Sequence, residues 1–141
     1  IVSSVFHNRL KKNMKLQSDP TILYAKNLFS EEKTRKIFKF DLRNDNAWNT
    51  YTRKGLPITP ICNPGEIALN AAMNPIETNY LYFVANGKGG HYFSSSYSEH
   101  LKNIKGYGDP KSEYNKYHPI YSYTILPTLK LIRGFKKIKV V

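Results

Sequence analysis

The chain has 141 residues, one domain's worth, of which 40% are hydrophobic and 13% aromatic. That composition excludes a wholly disordered chain, and no apolar run of about 18 residues is present to form a membrane span. Lys and Arg number 22 against 10 Asp and Glu, a net charge of +12, which favours anionic partners (nucleic acid, a lipid surface, a cell-wall polymer) without choosing among them. A Lys-, Asn-, Ile- and Tyr-rich composition also arises from AT-rich coding sequence. The single cysteine, Cys62, excludes an internal disulfide framework and a cysteine-based zinc cluster. The chain opens on Ile1 and carries no readable targeting segment, so its start is expected to be a cut.

In chain order, Ile1, Val2, Val5, Phe6 and Leu10 have helical spacing and predict a helix over 1–10, ended by Asn13. An apolar face on Val2, Val5 and Phe6 is expected to be exposed. Ser18-Asp19-Pro20-Thr21 reads as a helix start, with Asp19 as a cap and Pro20 in the first turn, and the helix should run through Tyr24. Residues 31–40 read as a further helix started by Ser30, and 41–52 as loop. Three prolines within 56–64 predict a stiff, extended loop. Residues 66–73 form a small-residue helix ended by Asn74-Pro75. Two short aromatic strands, 80–86 and 91–94, flank Gly87-Lys88-Gly89-Gly90 and predict a β-hairpin. Ser96-x-x-Glu99 is a capping box opening a helix to about Ile104. From 106 onward the chain is polar, Tyr-rich and then basic. It is treated as a separate tail, 106–141, with a strand expected over 120–126.

Few residues offer chemistry. Gln17, Asp19 and Thr21 gather at a helix N-terminus, where polar groups and free N–H donors suit sugar hydroxyls or an acetamido group. The same residues make an ordinary capped start. Trp48-Asn49-Thr50-Tyr51 offers aromatics that stack on sugar faces and an amide that hydrogen-bonds them. It reads equally as a loop anchored on the core. Gly87-Lys88-Gly89-Gly90-His91 lacks the Ser/Thr of a P-loop and opens no helix. The four histidines lack ligand spacing. Cys62 carries no mark of a nucleophile. No carboxylate is placed by the sequence in an apolar pocket that would keep it protonated as an acid catalyst.

Val5-Phe6-x-Asn8-Arg9-Leu10, then Met14-x-Leu16-Gln17-Ser18-Asp19-Pro20-Thr21, Asn49-Thr50-Tyr51, and Gly55-Leu56-Pro57 through Pro60-Ile61-x-Asn63-Pro64-Gly65 stand in series. Leu81-Tyr82-Phe83-Val84 with Gly87-x-Gly89-Gly90-His91-x-Phe93 completes it. In this order the motifs resemble the C-terminal part of the catalytic domain of the endolytic murein transglycosylases, the YceG-like family, over 1–105. The resemblance implies an α+β fold with short helices packed around a small antiparallel hairpin-containing sheet. It implies an inner-membrane protein with an N-terminal span and a catalytic region facing the periplasm. It implies cleavage between N-acetylmuramic acid and N-acetylglucosamine in nascent peptidoglycan, leaving 1,6-anhydro ends. One glutamate acts there as acid and then base, the muramyl C6 hydroxyl replacing water. That glutamate lies, in the family, upstream of the Asn8-Arg9-Leu10 helix, so no catalytic residue is assigned within this chain. Gln17, Asp19, Thr21, Asn49, Tyr51, Asn63 and His91 are the implied substrate-binding residues, lining or supporting a glycan cleft. Trp48 replaces the family's more usual Tyr, and Thr59 stands where Pro is common.

Peptidoglycan strands are thus the expected partner, with cell-wall synthesis enzymes as further candidates and no metal or cofactor. Two other readings compete. One is a non-catalytic glycan-binding remnant of the same family. The other is a basic nucleic-acid-binding module, against which the bases are scattered and no DNA or RNA motif is present, so nucleic acid is not the expected partner.

Overall fold

The computed structural model describes residues 1–107. The strand expected over 120–126 and the tail beyond residue 107 lie outside the described residues. Within them, helices α1 (Val2–Lys11), α2 (Asp19–Leu28), α3 (Glu66–Met73) and α4 (Tyr97–Tyr107) accompany one antiparallel pair, β1 (Tyr82–Ala85) and β2 (His91–Ser94). The arrangement is α+β. No described helix is long and apolar enough to cross a membrane.

The hairpin is the frame for two helices. Its register pairs Tyr82 with Ser94, Phe83 with Phe93, Val84 with Tyr92 and Ala85 with His91. Asn86 organises the connection: its Oδ1 accepts from the N–H groups of Lys88 and Gly90, at 2.9 and 3.0 Å. Gly87 and Gly89 have φ of 73° and 90°, values that favour residues without a Cβ. Successive β1 side chains point to opposite faces. Phe83 meets Phe6 of α1 edge-on at 5.9 Å, and Tyr82 stacks on His100 of α4 at 5.1 Å. The capping box forms at the start of α4. Ser96 Oγ accepts from Glu99 N–H, and the Glu99 carboxylate reaches the N–H of Ser95.

A second core sits under α2, where Ile22, Leu23 and Ile37 are buried with Leu42 and Tyr51 against them. Here the sequence reading fails. Residues 31–38 are not helical, and a turn follows at 39–43. The backbone of 34–38 finds its partners on α2 rather than four residues away. The Asn27 amide donates to Thr34 O and accepts from Thr34 N–H, at 2.9 and 2.8 Å, as a neighbouring strand would. Lys26 Nζ donates to Lys36 O, and Asp41 Oδ2 accepts from Phe38 N–H. Side chains that compete for backbone groups in this way displace the helix, and the exchange lets Ile37 reach the core. Lys33 donates to the α2 carbonyls of Asn27 and, beyond the helix end, Ser30.

Two smaller corrections concern ends and faces. Helix α2 runs a turn beyond Tyr24, to Leu28. Val5 is only 1% exposed, and Val2 and Phe6 are half-buried, because α1 packs on β1. The most exposed of the described apolar side chains lie elsewhere, on α3, where Ile67 and Met73 are 87% and 78% exposed, and at Phe29, Phe40, Leu56 and Ile58 in the loops.

Replacing Asn27 with Ala removes two of the bonds that hold 34–38 in place. The expected cost is about 1–2 kcal/mol, read as a lower urea midpoint at unchanged m-value.

Candidate functional site

Helix α1 ends at Lys11 and the chain turns through Asn13, whose φ of 53° an asparagine tolerates. The next segment, 14–18, is held from both sides. From one side comes Arg9, which occupies the position on α1 where Val2, Val5 and Phe6 set the inward face. It is 8% exposed and has no carboxylate partner among the described residues. Its Nε donates to Leu81 O at 2.7 Å, and Nη1 donates to Lys15 O, Leu16 O and Gln17 Oε1 at 3.0 to 3.2 Å. The guanidinium also lies over the Tyr82 ring, 5.1 Å from its centre. Burial pushes its pKa down from the ordinary value, and the nearby phenols of Tyr82 and Tyr51 oppose that. Asn8 beside it donates to Thr78 O and Tyr80 O at 2.7 and 3.0 Å. The tandem therefore ties α1 to the strand entry and to the 14–18 segment at once.

From the other side comes the 46–53 turn. Gln17 N–H donates to Thr50 O at 3.1 Å, Ser18 N–H donates to Thr50 Oγ1 at 2.9 Å, and Thr21 and Thr50 hydroxyls meet at 3.0 Å. Gln17 has φ of 50°, a left-handed conformation unfavourable for a residue with a Cβ. Its bonds to Arg9 and Thr50 hold it there, and its side chain is exposed at the head of α2.

Asp19 is not the cap. Ser18 precedes the helix, Asp19 is its first residue, and no side chain caps the N-terminus. The Asp19 carboxyl turns inward, where the Tyr51 hydroxyl donates to Oδ1. Oδ2 has no partner in the described structure, and the residue is 1% exposed. Burial raises its pKa from the usual 3.8 to about 7, against the smaller, opposing effect of the Tyr51 bond. So the protein does contain a carboxyl held near neutrality, at a place where the sequence suggested only a cap. It is sealed from solvent.

The other expected residues divide. Asn49 is wholly buried: its amide donates to Leu42 O and Asn44 O, and its Oδ1 accepts from Tyr51 N–H and Thr52 N–H. It shapes the turn and thereby supports the junction. Trp48 packs on Tyr24 and Phe29, and its indole N–H donates to Thr59 Oγ1 at 2.8 Å. Thr21 and Tyr51 belong to the junction. Asn63 stands exposed in the proline-rich loop, with no hydrogen bond to the junction. His91 lies half-buried between Phe83 and Phe93, and it approaches the junction through Phe83. Phe83 lines a cavity of about 30 Å³, room for one water, together with Arg9, Gln17, Ser18 and His100.

Arg9, Thr50 and His100 were not foreseen as site residues. A cation on the inward face of an apolar helix was the available signal for Arg9. His100 is 5% exposed, and burial, then the Arg9 charge, pushes its pKa below the ordinary 6.5, so it is neutral at pH 7. A larger polar cleft of about 350 Å³ lies on the other flank of α1, between Ser4, His7, Lys11 and the 75–79 segment.

With this geometry in view, the comparisons are specific. The YceG-like family model matches residues 1–106, and the chain belongs to that family. It is 44% identical over 112 residues to the endolytic murein transglycosylase of Bacillus subtilis, covering 79% of this chain and 30% of that protein. It is 30% identical over 106 residues to the endolytic murein transglycosylase of Streptococcus pneumoniae, covering 74% of this chain and 19% of that protein. A crystal structure of a yceG-like protein from Listeria monocytogenes superimposes with a TM-score of 0.63 at 45% identity, over 72% of this chain and 31% of that one. The chain thus spans a third or less of the length of these relatives.

Two outcomes follow from the junction. Arg9→Met keeps the bulk but leaves three carbonyls and Gln17 without their donor, and should cost about 3 kcal/mol. Arg9→Lys should recover little of it, since one ammonium cannot reproduce the fork. The Asp19 pKa is higher folded than unfolded, so its stabilising effect is complete below 3.8 and is lost as pH rises to about 7. The loss is on the order of 4 kcal/mol. Urea melts across that range should show it, and Asp19→Asn should flatten the profile.

Proposed function

We propose that this chain is part of an endolytic peptidoglycan lytic transglycosylase acting in the bacterial envelope. In this reading the full protein cuts between N-acetylmuramic acid and N-acetylglucosamine in nascent strands and leaves 1,6-anhydro-muramyl ends. The observation that carries the reading is the 44% identity with the Bacillus subtilis protein of that name. Gln17, Asp19, Thr21, Asn49 and Tyr51, moreover, converge on one junction.

The proposed chemistry needs a protonated carboxyl at the glycosidic oxygen, which then accepts the proton of the muramyl C6 hydroxyl as that oxygen closes on C1. Among the described residues Asp19 alone is a carboxyl raised towards neutrality, and it is sealed under Tyr51. The exposed carboxylates have other surroundings: Asp45, for example, is paired with Arg53 and pulled down to about 2. The acid is therefore sought on the family's glutamate, upstream of the Asn8-Arg9-Leu10 helix. This chain supplies the wall beside it. Exposed Gln17, half-buried Tyr51 and half-buried Trp48 offer an amide and two aromatic faces to an N-acetylated sugar. By itself the chain is proposed to bind glycan without cutting it. A basic surface suits a polymer whose peptide stems carry carboxylates.

The test is product analysis. The full-length protein incubated with nascent glycan strands should release muropeptides with anhydro ends, identified by mass. Products bearing only ordinary reducing ends would overturn the reading. The 141-residue chain alone should release nothing, and cutting by it would place the acid within these residues after all.

A further inference from the structure

Asp19 and Tyr51 belong to different parts of the junction. Asp19 is fixed to the first turn of α2, followed by Pro20, which has no N–H to offer. Tyr51 belongs to the turn that α2 packs against. The remaining bonds across the seam, from Thr50 to Gln17, Ser18 and Thr21, join uncharged groups. The Tyr51–Asp19 bond is the one whose acceptor can gain or lose a proton.

The geometry favours the neutral state. One oxygen has a single donor, the other has none, and the side chain is 1% exposed. A carboxylate so placed would be a charge short of donors on its unpartnered oxygen, which away from water costs more than the unpaired hydroxyl of a neutral carboxyl. The charged neighbours are committed elsewhere. Arg9 of α1 faces Tyr51 but donates to Gln17 and three backbone carbonyls. Lys26 of α2 is paired with Asp41 at 2.7 Å, and Arg53 of the turn with Asp45 at 2.9 Å. His100 of α4 faces Arg9 and is neutral. Among the described residues no cation contributes to the balance at Asp19, whose pKa is displaced upward to about 7.

We propose that Asp19 is a positioning residue and that its bond to Tyr51 is a proton-dependent latch. While the carboxyl is neutral, the latch holds the 46–53 turn against the head of α2 and keeps Gln17 and Tyr51 in register. When the proton leaves, the Tyr51 bond alone favours the carboxylate, but the second oxygen, buried without a donor, is drawn towards water and the turn lifts from the helix. What the latch positions, a glycan-facing wall, rests on the function proposed above. The latch itself does not.

The chain carries its own reporter. Trp48 is its single tryptophan and stands in the same turn. In the 141-residue chain, Trp48 emission should show a transition with a midpoint near 7, the value for Asp19. Asp19→Asn, which mimics the neutral carboxyl, should keep the low-pH emission throughout. A transition of the same midpoint and size in Asp19→Asn would assign it to a histidine and overturn the latch. If that variant does not fold, the side-chain carbon resonance of Asp19 in the unaltered chain decides. Titration near 7 supports the latch, and titration near the ordinary 3.8 overturns it.

Positioning is read with a soluble tetrasaccharide of alternating N-acetylglucosamine and N-acetylmuramic acid. Its affinity for the unaltered chain should fall about tenfold from about pH 5.5 to about pH 8.5, and its affinity for Asp19→Asn should hold constant. An equal pH response in both overturns the positioning role. If the tetrasaccharide binds at no pH, the glycan reading fails, and emission and resonance still decide the latch.

Discussion

The structure depends on a buried cation with no anion beside it among the described residues. Arg9 is placed by helical spacing on the inward face of α1, and burying it unpaired would be prohibitive. It is tolerable because one planar fork meets three backbone carbonyls, a side-chain amide and an aromatic face. Those acceptors come from two segments distant in sequence, the 15–17 stretch and the entry to β1. Satisfying Arg9 therefore forces α1, the head of α2 and the hairpin into one arrangement. Asn8 adds two bonds to the same strand entry.

What Arg9 fixes from one side, the 46–53 turn completes from the other. Thr50 spends its carbonyl and its hydroxyl on the head of α2, and buried Asn49 holds the turn in the shape that lets it do so. Two energetically uncomfortable features result, the left-handed Gln17 and the sealed Asp19. Both sit where the motif residues of the family cluster. Strain and a buried polar group kept together at the junction are what make it the candidate site.

Much of this was legible in the sequence. The hairpin announced itself through two short aromatic runs flanking Gly87-Lys88-Gly89-Gly90. The fourth helix did so through its capping box, and α3 through its small residues and the Asn74-Pro75 stop. Gln17, Asp19, Thr21, Asn49 and Tyr51 were named from their motifs, but Arg9 and Thr50 were not named as site residues. Their roles were not legible, because those depend on partners about 30 residues apart in sequence. Asp19 looks like a cap until Tyr51 is seen to take its carboxyl, and Asn49 looks like a ligand contact until its amide is seen buried. The false helix over 31–40 has the same origin. Its local pattern permits a helix, and only Asn27, Lys26 and Asp41 acting from outside make an extended segment better. Arg9 was quoted as part of a motif, yet its position among Val2, Val5 and Phe6 already marked it as a cation that must be satisfied inside.

The central claim is that glycan is received at the junction of 15–21 with 46–53. Amide hydrogen exchange of the chain with and without the alternating tetrasaccharide tests it most directly. The account predicts slowed exchange concentrated in those two segments, with the α1 to 75–79 cleft unchanged. Protection confined to that cleft, or spread evenly over the basic surface, would contradict it.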